Sequence, residues 1–417
     1  MTKICMALLP RYVPSLLVRN VPFHVSLPRH LRTFRHRFCT THTSKDAHPG
    51  LSPCAASTKK PNIIGLTRSE LAQQLEQHSA STYRISQIFH WLYARGVQEF
   101  DQMTNLKKEF IKTLQDNYTL NFGTVVGDVI GKDGTRKWLV EFGSGQQVET
   151  VFIPETHRGT ICLSSQIGCS MKCAFCHTGT QPLLRNLSSA EIVGQLLLAK
   201  RLLFDFPQRP LRLVTNIVFM GQGEPFYNYS QLKKAISIIT DPSGLSISKR
   251  RIVVSTSGVV PNILRLGRDF PGISLAISLH AVTDELRSQL VPVNRQWPIS
   301  ELLNACKAYT KLSSTRRITF EYVMLKNVND SAQEARTLSR LLKDQVALVN
   351  LIPFNPWPGT HYEPSDRAVI LEFARIVQEN NIPVTIRWSR GQDISAACGQ
   401  LKTVSNSRTI DNTKICV

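Results

Sequence analysis

Three cysteines stand within eight residues, in Cys169-Ser-Met-Lys-Cys173-Ala-Phe-Cys176. Three thiolates on one short loop can hold three irons of a cubane [4Fe–4S] cluster. The fourth iron then has no protein ligand and keeps an open coordination site. An open site lets a metal centre bind substrate atoms as well as hold a fold together. Two other chemistries fit parts of the pattern. Cys173-Ala-Phe-Cys176-His177 matches C-x-x-C-H haem attachment, which leaves Cys169 unexplained. A structural zinc would draw on Cys169, Cys173, Cys176 and His177, but adjacent Cys176 and His177 make poor tetrahedral geometry.

The loop must be carried by rigid elements. An apolar, strand-like run at 160–164 precedes it, and from there strands and helices alternate. Further strands are expected at 216–220, 251–255, 273–279, 317–325 and 347–352. Helical patterns lie between them. One opens with the capping box Ser188-Ser-Ala-Glu191 and continues through Ile192, Leu196 and Leu197; others cover 230–240, 299–311, 330–343 and 365–380. Alternation of this kind implies a parallel sheet with right-handed crossovers. The expected fold class is α/β, a partial (β/α)6 barrel over 159–401 with reactive residues at strand C-terminal ends. Residues 66–120 read as a helical accessory domain opened by the capping box Thr67-Arg-Ser-Glu70, with Leu71, Leu75, Ile85, Ile88, Phe89 and Leu92 at helical spacing. Residues 121–158 switch to a small β segment broken by Gly131, Gly134, Gly143 and Gly145.

Composition sets the outer bounds. The 417 residues are 42% hydrophobic and carry a formal net charge of +20, so a large core and a polyanionic partner, nucleic acid first, are expected. No apolar run approaches the ~18 residues of a membrane span. Crowding of the cysteines argues for a metal site over a disulfide framework. Residues 1–45 hold no Asp or Glu and eight Lys or Arg, which reads as an organelle transit peptide, mitochondrial ahead of plastid. The competing reading is a basic RNA-binding tail on a cytoplasmic protein. Residues 46–65, with Pro49, Gly50, Pro53 and Pro61, are expected to be a linker, and 402–417 a tail.

C-x-x-x-C-x-x-C after the first strand of a (β/α) unit is similar to the radical S-adenosylmethionine (SAM) superfamily. The blocks around it narrow the likeness. Cys162-Leu-Ser-Ser-Gln-Ile-Gly-Cys169, Cys176-His-Thr-Gly179 and Arg185-Asn-Leu-Ser-Ser-Ala-Glu191 resemble the RlmN/Cfr family of RNA adenine methyltransferases. So do Met103-Thr-Asn-Leu106, Asp133-Gly-Thr-Arg-Lys137, Val148-Glu-Thr-Val-Phe-Ile-Pro154 and Ala396-Ala-Cys398-Gly-Gln400, in order over 83–401. The resemblance implies a [4Fe–4S] cluster on Cys169, Cys173 and Cys176, and two molecules of SAM per turnover. It places SAM against Gly223, Glu224, Ser255, Ser278, Leu279, His280 and Asn355, although Gln222 stands where the family usually has Met. Taken alone, each of those hydroxyls and amides is as readily a helix cap or an Asx-turn.

The resemblance also implies a mechanism. Adenine C2 is electron-poor and its C–H is not acidic, so polar methylation fails where a radical route succeeds. Cys398 takes a methyl group from one SAM, and a 5′-deoxyadenosyl radical from a second removes a hydrogen from that methyl. The methylene radical adds to adenine, Glu149 accepts the C2 proton, and Cys162 releases the product by forming a transient disulfide with Cys398. Arg390 and Gly391 are expected near Cys398. Substrates would be an adenine of large-subunit (23S-type) rRNA, of tRNA, or of both, unstacked to reach the site. Lys107, Lys108 and Lys112 are candidate backbone contacts. A ferredoxin or flavodoxin would supply electrons to a monomeric enzyme. The alternatives are Cfr-type methylation at C8, a radical SAM activase that needs neither Cys162 nor Cys398, and a zinc-stabilised RNA-binding protein.

Overall fold

A computed structural model describes residues 60–143, 145–206, 212–313 and 317–403. The expected transit peptide, most of the expected linker, and residues 404–417 lie outside them.

The described residues begin with three α-helices, α1 (Arg68–Leu75), α2 (Thr82–His90) and α3 (Lys108–Asn117). The predicted capping box starts α1: Thr67 Oγ1 accepts from the Glu70 N–H, and the Glu70 carboxylate accepts from the Thr67 N–H at 3.0 Å. Leu71, Leu75, Ile85, Ile88, Phe89 and Leu114 face inward and share one core with the barrel. Ile63 and Ile64, placed by sequence in the linker, are buried too, and Asn62 bridges to Thr119. The packed fold therefore includes residues that Pro and Gly spacing assigns to a linker, because burial of the two isoleucines outweighs the turn signal of Pro61.

Four strands follow as an antiparallel meander: β1 (Thr124–Ile130), β2 (Arg136–Glu141), β3 (Gln147–Glu155) and β4 (Arg158–Cys162). The short β5 (Gln166–Ile167) and β6 (Arg185–Asn186) pair across the base of the cysteine loop. Then come α4 (Ser189–Leu202), β7 (Asn216–Phe219), α5 (Tyr229–Thr240), β8 (Ile252–Thr256), α6 (Val260–Asp269) and β9 (Ser274–Ser278). The second half holds α7 (Asp284–Leu290), α8 (Ile299–Leu312), β10 (Ile318–Met324), α9 (Ala332–Leu342), β11 (Ala347–Pro353), α10 (Arg367–Glu379) and β12 (Val384–Ile386).

All but β5 and β6 form one ten-stranded sheet, in the order β1-β2-β3-β4-β7-β8-β9-β10-β11-β12. From β4 onward every pairing is parallel. The sheet curls into a barrel that stays open, with β1 and β12 as its edges. All six predicted strands are present, within two residues of their expected ends. Sequence patterning missed α6, α7 and β12. The seven residues of α7 bury only Arg287 and Leu290, so no apolar stripe marks them. β12 is three half-buried or exposed residues, too short for alternation to register. Among the described residues no helix is long and apolar enough to cross a membrane.

Candidate active site

The cysteine loop leaves the C-terminal end of β4, and its backbone is pinned from three sides. Ala174 N–H donates to Leu290 O at 3.0 Å, Trp357 Nε1–H donates to Phe175 O at 3.0 Å, and His177 N–H donates to Gly399 O at 2.8 Å. Within the loop, Met171 N–H points at Cys169 Sγ over 3.5 Å, the kind of donor that stabilises a ligating thiolate. Cys169, Cys173 and Cys176 line one cavity of about 160 Å³. Burial pushes all three thiols up, Cys169 to about 12, so thiolates there need a positive partner. Among the described residues no three such side chains converge on a single metal ion. A cubane asks for something else, one sulfur on each of three different irons. His177, the fourth ligand of the zinc reading, does not line the cavity of the three thiols; its ring stacks on Trp357 at 4.7 Å and its Nδ1 lies 3.3 Å from Gln400 O.

The strand ends predicted to hold SAM form the other wall of this cavity. Gly223, Glu224, Ser255, Ser278, His280 and Asn355 line it, after β7, on β8, on β9 and after β11. Leu279 is fully buried behind them. Glu224 is buried, and burial raises its carboxyl. Its oxygens accept from Phe226 N–H at 3.0 Å and Ser257 N–H at 2.8 Å, which leaves lone pairs for a ligand ammonium. A neighbouring side chain already requires glycine at position 223. Its φ is +94°, and a Cβ there would lie 2.4 Å from the Gln166 Cβ. His280 is buried, its Nδ1 accepts from Val323 N–H at 3.0 Å, and its ring meets Phe175 of the cysteine loop edge-on at 4.6 Å. Burial, then the nearby Arg287 charge, push it down to about 3, so it is neutral.

A second cavity of about 600 Å³ opens inside the barrel between β12 and the β3–β4 hairpin. Cys162, Cys176 and Cys398 all reach it, and Cys398 and Cys176 also line the first cavity. Cys398 is exposed, Cys162 is buried, and both are free thiols. Burial first, then Cys398, push the Cys162 thiol up to about 12. The loop that carries Cys398 is strapped to the cysteine loop through His177 and Gly399, and through Thr178 Oγ1, which donates to Leu401 O at 2.6 Å. The β1–β2 turn holds the same loop from the far side. Asp133 accepts from Gly391 N–H at 2.9 Å, and Asp393 accepts from Lys132 N–H at 2.9 Å. Asn355, expected on SAM, donates from Nδ2 to Cys398 O at 3.1 Å and accepts from Gln392.

Glu149 is not the exposed strand-edge charge that a lone Glu usually is. It is 5% exposed in mid-β3, on the face that puts Val151 beside Cys162. Lys137 Nζ lies 2.7 Å from Oε1, and Oε2 is buried without a hydrogen-bond partner. An unpartnered buried carboxylate oxygen is costly unless something arrives to use it.

Two site residues escaped the sequence, and a third, Gln222, is marked there only as a departure from the family's motif. Arg287 is fully buried and donates to the carbonyls of Ser257 (2.8 Å), Ser278 (3.0 Å) and Leu279 (3.1 Å), tying β8 and β9 ends together. Gln222 accepts from Glu149 N–H at 3.1 Å and donates to Thr403 Oγ1 at 2.8 Å. Arg387, at the end of β12, lines both cavities, and Cys398 first raises its guanidinium further. Arg390, the arginine the sequence named, lines the larger cavity with Cys398 and donates to Pro154 O. Gly391 does not admit a base; its φ is +64° and a Cβ would meet Thr135 Cγ2 at 2.8 Å. Lys107, Lys108 and Lys112 are exposed on or beside α3.

Comparison with known proteins agrees with this geometry. Residues 163–338 match the model of the radical SAM superfamily, and residues 61–120 match that of the ribosomal RNA large subunit methyltransferase N-terminal domain. The dual-specificity RNA methyltransferase RlmN of Sinorhizobium fredii is 52% identical over 367 residues, covering 84% of this chain and 89% of the relative. The enzyme of that name from Rhizobium meliloti is 50% identical over 370 residues, with 84% and 90% covered. The crystal structure of a radical SAM methyltransferase from Sphaerobacter thermophilus superposes with a TM-score of 0.78 at 43% identity, over 82% of this chain and 99% of that one. These relatives are bacterial, and bacteria have no mitochondrion or plastid. That overturns the organelle address read from residues 1–45, which rested on an acid-free, arginine-bearing composition alone. Half-identical to these enzymes over most of its length and matching both family models, the chain belongs to the RlmN family of radical SAM RNA methyltransferases.

Proposed function

We propose that this enzyme methylates C2 of an RNA adenine, with Cys398 as the carrier of the methyl group. One observation carries the reading: Cys398 lines both the cavity of the cluster cysteines and the larger cavity that Cys162 shares. A carrier that must meet SAM on one side and a base on the other has to stand there. Cys169, Cys173 and Cys176 hold the cluster, and Gly223, Glu224, Ser255, Ser278, Leu279, His280 and Asn355 surround SAM. When bound, the reduced cluster and SAM supply one-electron cleavage to a carbon radical.

The protein's own residues do the rest. Glu224 orients the SAM ammonium, and Arg287 fixes the strand ends that face it. The base enters the larger cavity and bonds to the one-carbon group on Cys398 sulfur. Glu149 receives the C2 proton at Oε2, the oxygen that Lys137 leaves free. Cys162, as thiolate, then attacks the Cys398 sulfur; the sulfur–carbon bond breaks with its electron pair on carbon, which takes up a proton to become the methyl group, and a Cys162–Cys398 disulfide is left for an external thiol to reduce. We take large-subunit rRNA and tRNA as substrates, a ferredoxin or flavodoxin as electron donor, and a monomer as the working unit.

The test is methylation by the reconstituted holoenzyme under anaerobic conditions, with SAM, a reductant and either RNA, read as digested nucleosides by mass spectrometry. The expected product is 2-methyladenosine, absent with Cys398→Ala. 8-Methyladenosine would move the enzyme to the Cfr type. SAM cleavage without any methyladenosine would overturn the RNA assignment.

A further inference from the structure

The mouth of the larger cavity holds an aromatic side chain that the reaction does not use. Trp388 follows β12, lines the cavity wall and is 44% exposed. A tryptophan buries more surface than almost any side chain, so one left half in water at a cavity mouth is unspent binding area. One face of its ring is already covered: the Arg367 guanidinium carbon sits 4.8 Å from the ring centroid. That arrangement holds the indole in place and leaves the opposite face for a second planar group.

Charge around the mouth selects what that group belongs to. Arg158 is neutralised by Glu155, with both oxygens engaged at 2.7 and 3.0 Å. Arg367 and Arg390 are exposed and form no ion pair among the described residues, although Arg390 gives one N–H to Pro154 O and its charge acts on Asp133. A flat apolar face beside two exposed guanidinium groups fits a nucleobase with its phosphate. The same wall leads inward through Arg387 to Cys398.

Resting on the reading that an RNA adenine enters this cavity, we infer that Trp388 is a stacking platform for a nucleotide next to the target adenine in the unpaired segment. Arg367 and Arg390 meet the adjoining phosphates. Stacking there compensates the neighbour for the partner it loses when the adenine is drawn out, and holds the strand while the base is inside.

The experiment measures binding of an RNA hairpin with the target adenine in its loop to the holoenzyme, by anisotropy. It compares the native chain, Trp388→Ala and Trp388→Phe. Each is measured with intact RNA and with RNA abasic at one position on either side of the adenine. Trp388→Ala should weaken intact RNA by roughly tenfold, the scale of one stacked base, and Trp388→Phe by much less. Against RNA abasic at the stacked position, the alanine effect should vanish. An alanine variant that binds intact RNA as the native chain does overturns the proposal, as does an equal loss against every abasic RNA. Product analysis with the native chain runs in parallel. If it makes no methyladenosine, the methylation reading fails while the stacking cycle is still scored on its own.

Discussion

Lys137 ties the buried carboxylate of Glu149 to the loop that carries Cys398. Its Nζ is 2.7 Å from Glu149 Oε1 and donates to Ser395 O at 3.2 Å. Both side chains are largely shielded, at 16% and 7% exposure, so the pair is worth more than a surface ion pair and is more costly to halve. Lys137→Met strands a buried carboxylate that already has one unpartnered oxygen. Stability should fall by about 3 kcal/mol, the scale for breaking a buried pair. Adding Glu149→Gln to Lys137→Met should restore most of that stability and none of the methylation. Denaturant unfolding of the four proteins closes the cycle. Equal, additive losses would show that the pair contributes nothing.

The proposed mechanism gives Cys162 and Cys398 separable tasks, so removing each should leave a different trace. Cys398→Ala removes the methyl carrier, so neither methylcysteine nor methyladenosine should form. Cys162→Ala leaves the carrier intact and removes the thiol that releases the product. RNA should then stay covalently attached to Cys398 and migrate with the protein in denaturing gels. Release of free methylated RNA by Cys162→Ala at the native rate would assign release to another group.

Much of this site was legible because its signals are local. Cys169, Cys173 and Cys176 lie on one loop, and the alternating runs at 160–164 and 216–220 announce the strands that aim it. The capping boxes at Thr67 and Ser188 start the two helices they predict. What the sequence hid is non-local. Nothing in Asp-Glu-Leu-Arg-Ser-Gln-Leu reveals that Arg287 will be drawn inward to three carbonyls on other strands. Arg387 and Arg390 are three residues apart on one irregular segment, and only the path of the backbone after β12 decides which lines both cavities. The sequence gives a ligand as the reason for Gly223 and does not show that a side chain there would also collide with Gln166.

Arg287 gives the third prediction. Its guanidinium donates to Leu279 O through Nε, to Ser257 O and Ser278 O through Nη2, and to Asn294 Oδ1 through Nη1 at 2.7 Å. A lysine ammonium cannot reproduce that planar fork. Arg287→Lys should therefore lose about 2–4 kcal/mol of stability, since buried carbonyls are left unpaired. It should also weaken SAM binding, because the ends of β8 and β9 are no longer held in register. Calorimetric titration of the holoenzyme with SAM reads the second effect. Native affinity in a destabilised variant would restrict Arg287 to a structural role.

The last prediction concerns pH. His280 is buried neutral and titrates at about 3, against about 6.5 for an ordinary histidine. Between those values the unfolded chain binds a proton that the folded chain refuses, so stability must fall as pH falls through that window. Above it the imidazole is neutral in both states and contributes no pH dependence. His280→Asn keeps an acceptor near the position of Nδ1 for the Val323 N–H, and asparagine tolerates the φ of +60° found there. The variant should be less stable near neutral pH through lost packing against Phe175. Its disadvantage should then shrink on acidification, by up to about 1.4 kcal/mol per pH unit, because the titrating group is gone. Urea unfolding of both proteins across the window reads this directly. Curves that stay parallel would mean that His280 titrates alike in both states, and that Arg287 and burial do not hold it neutral.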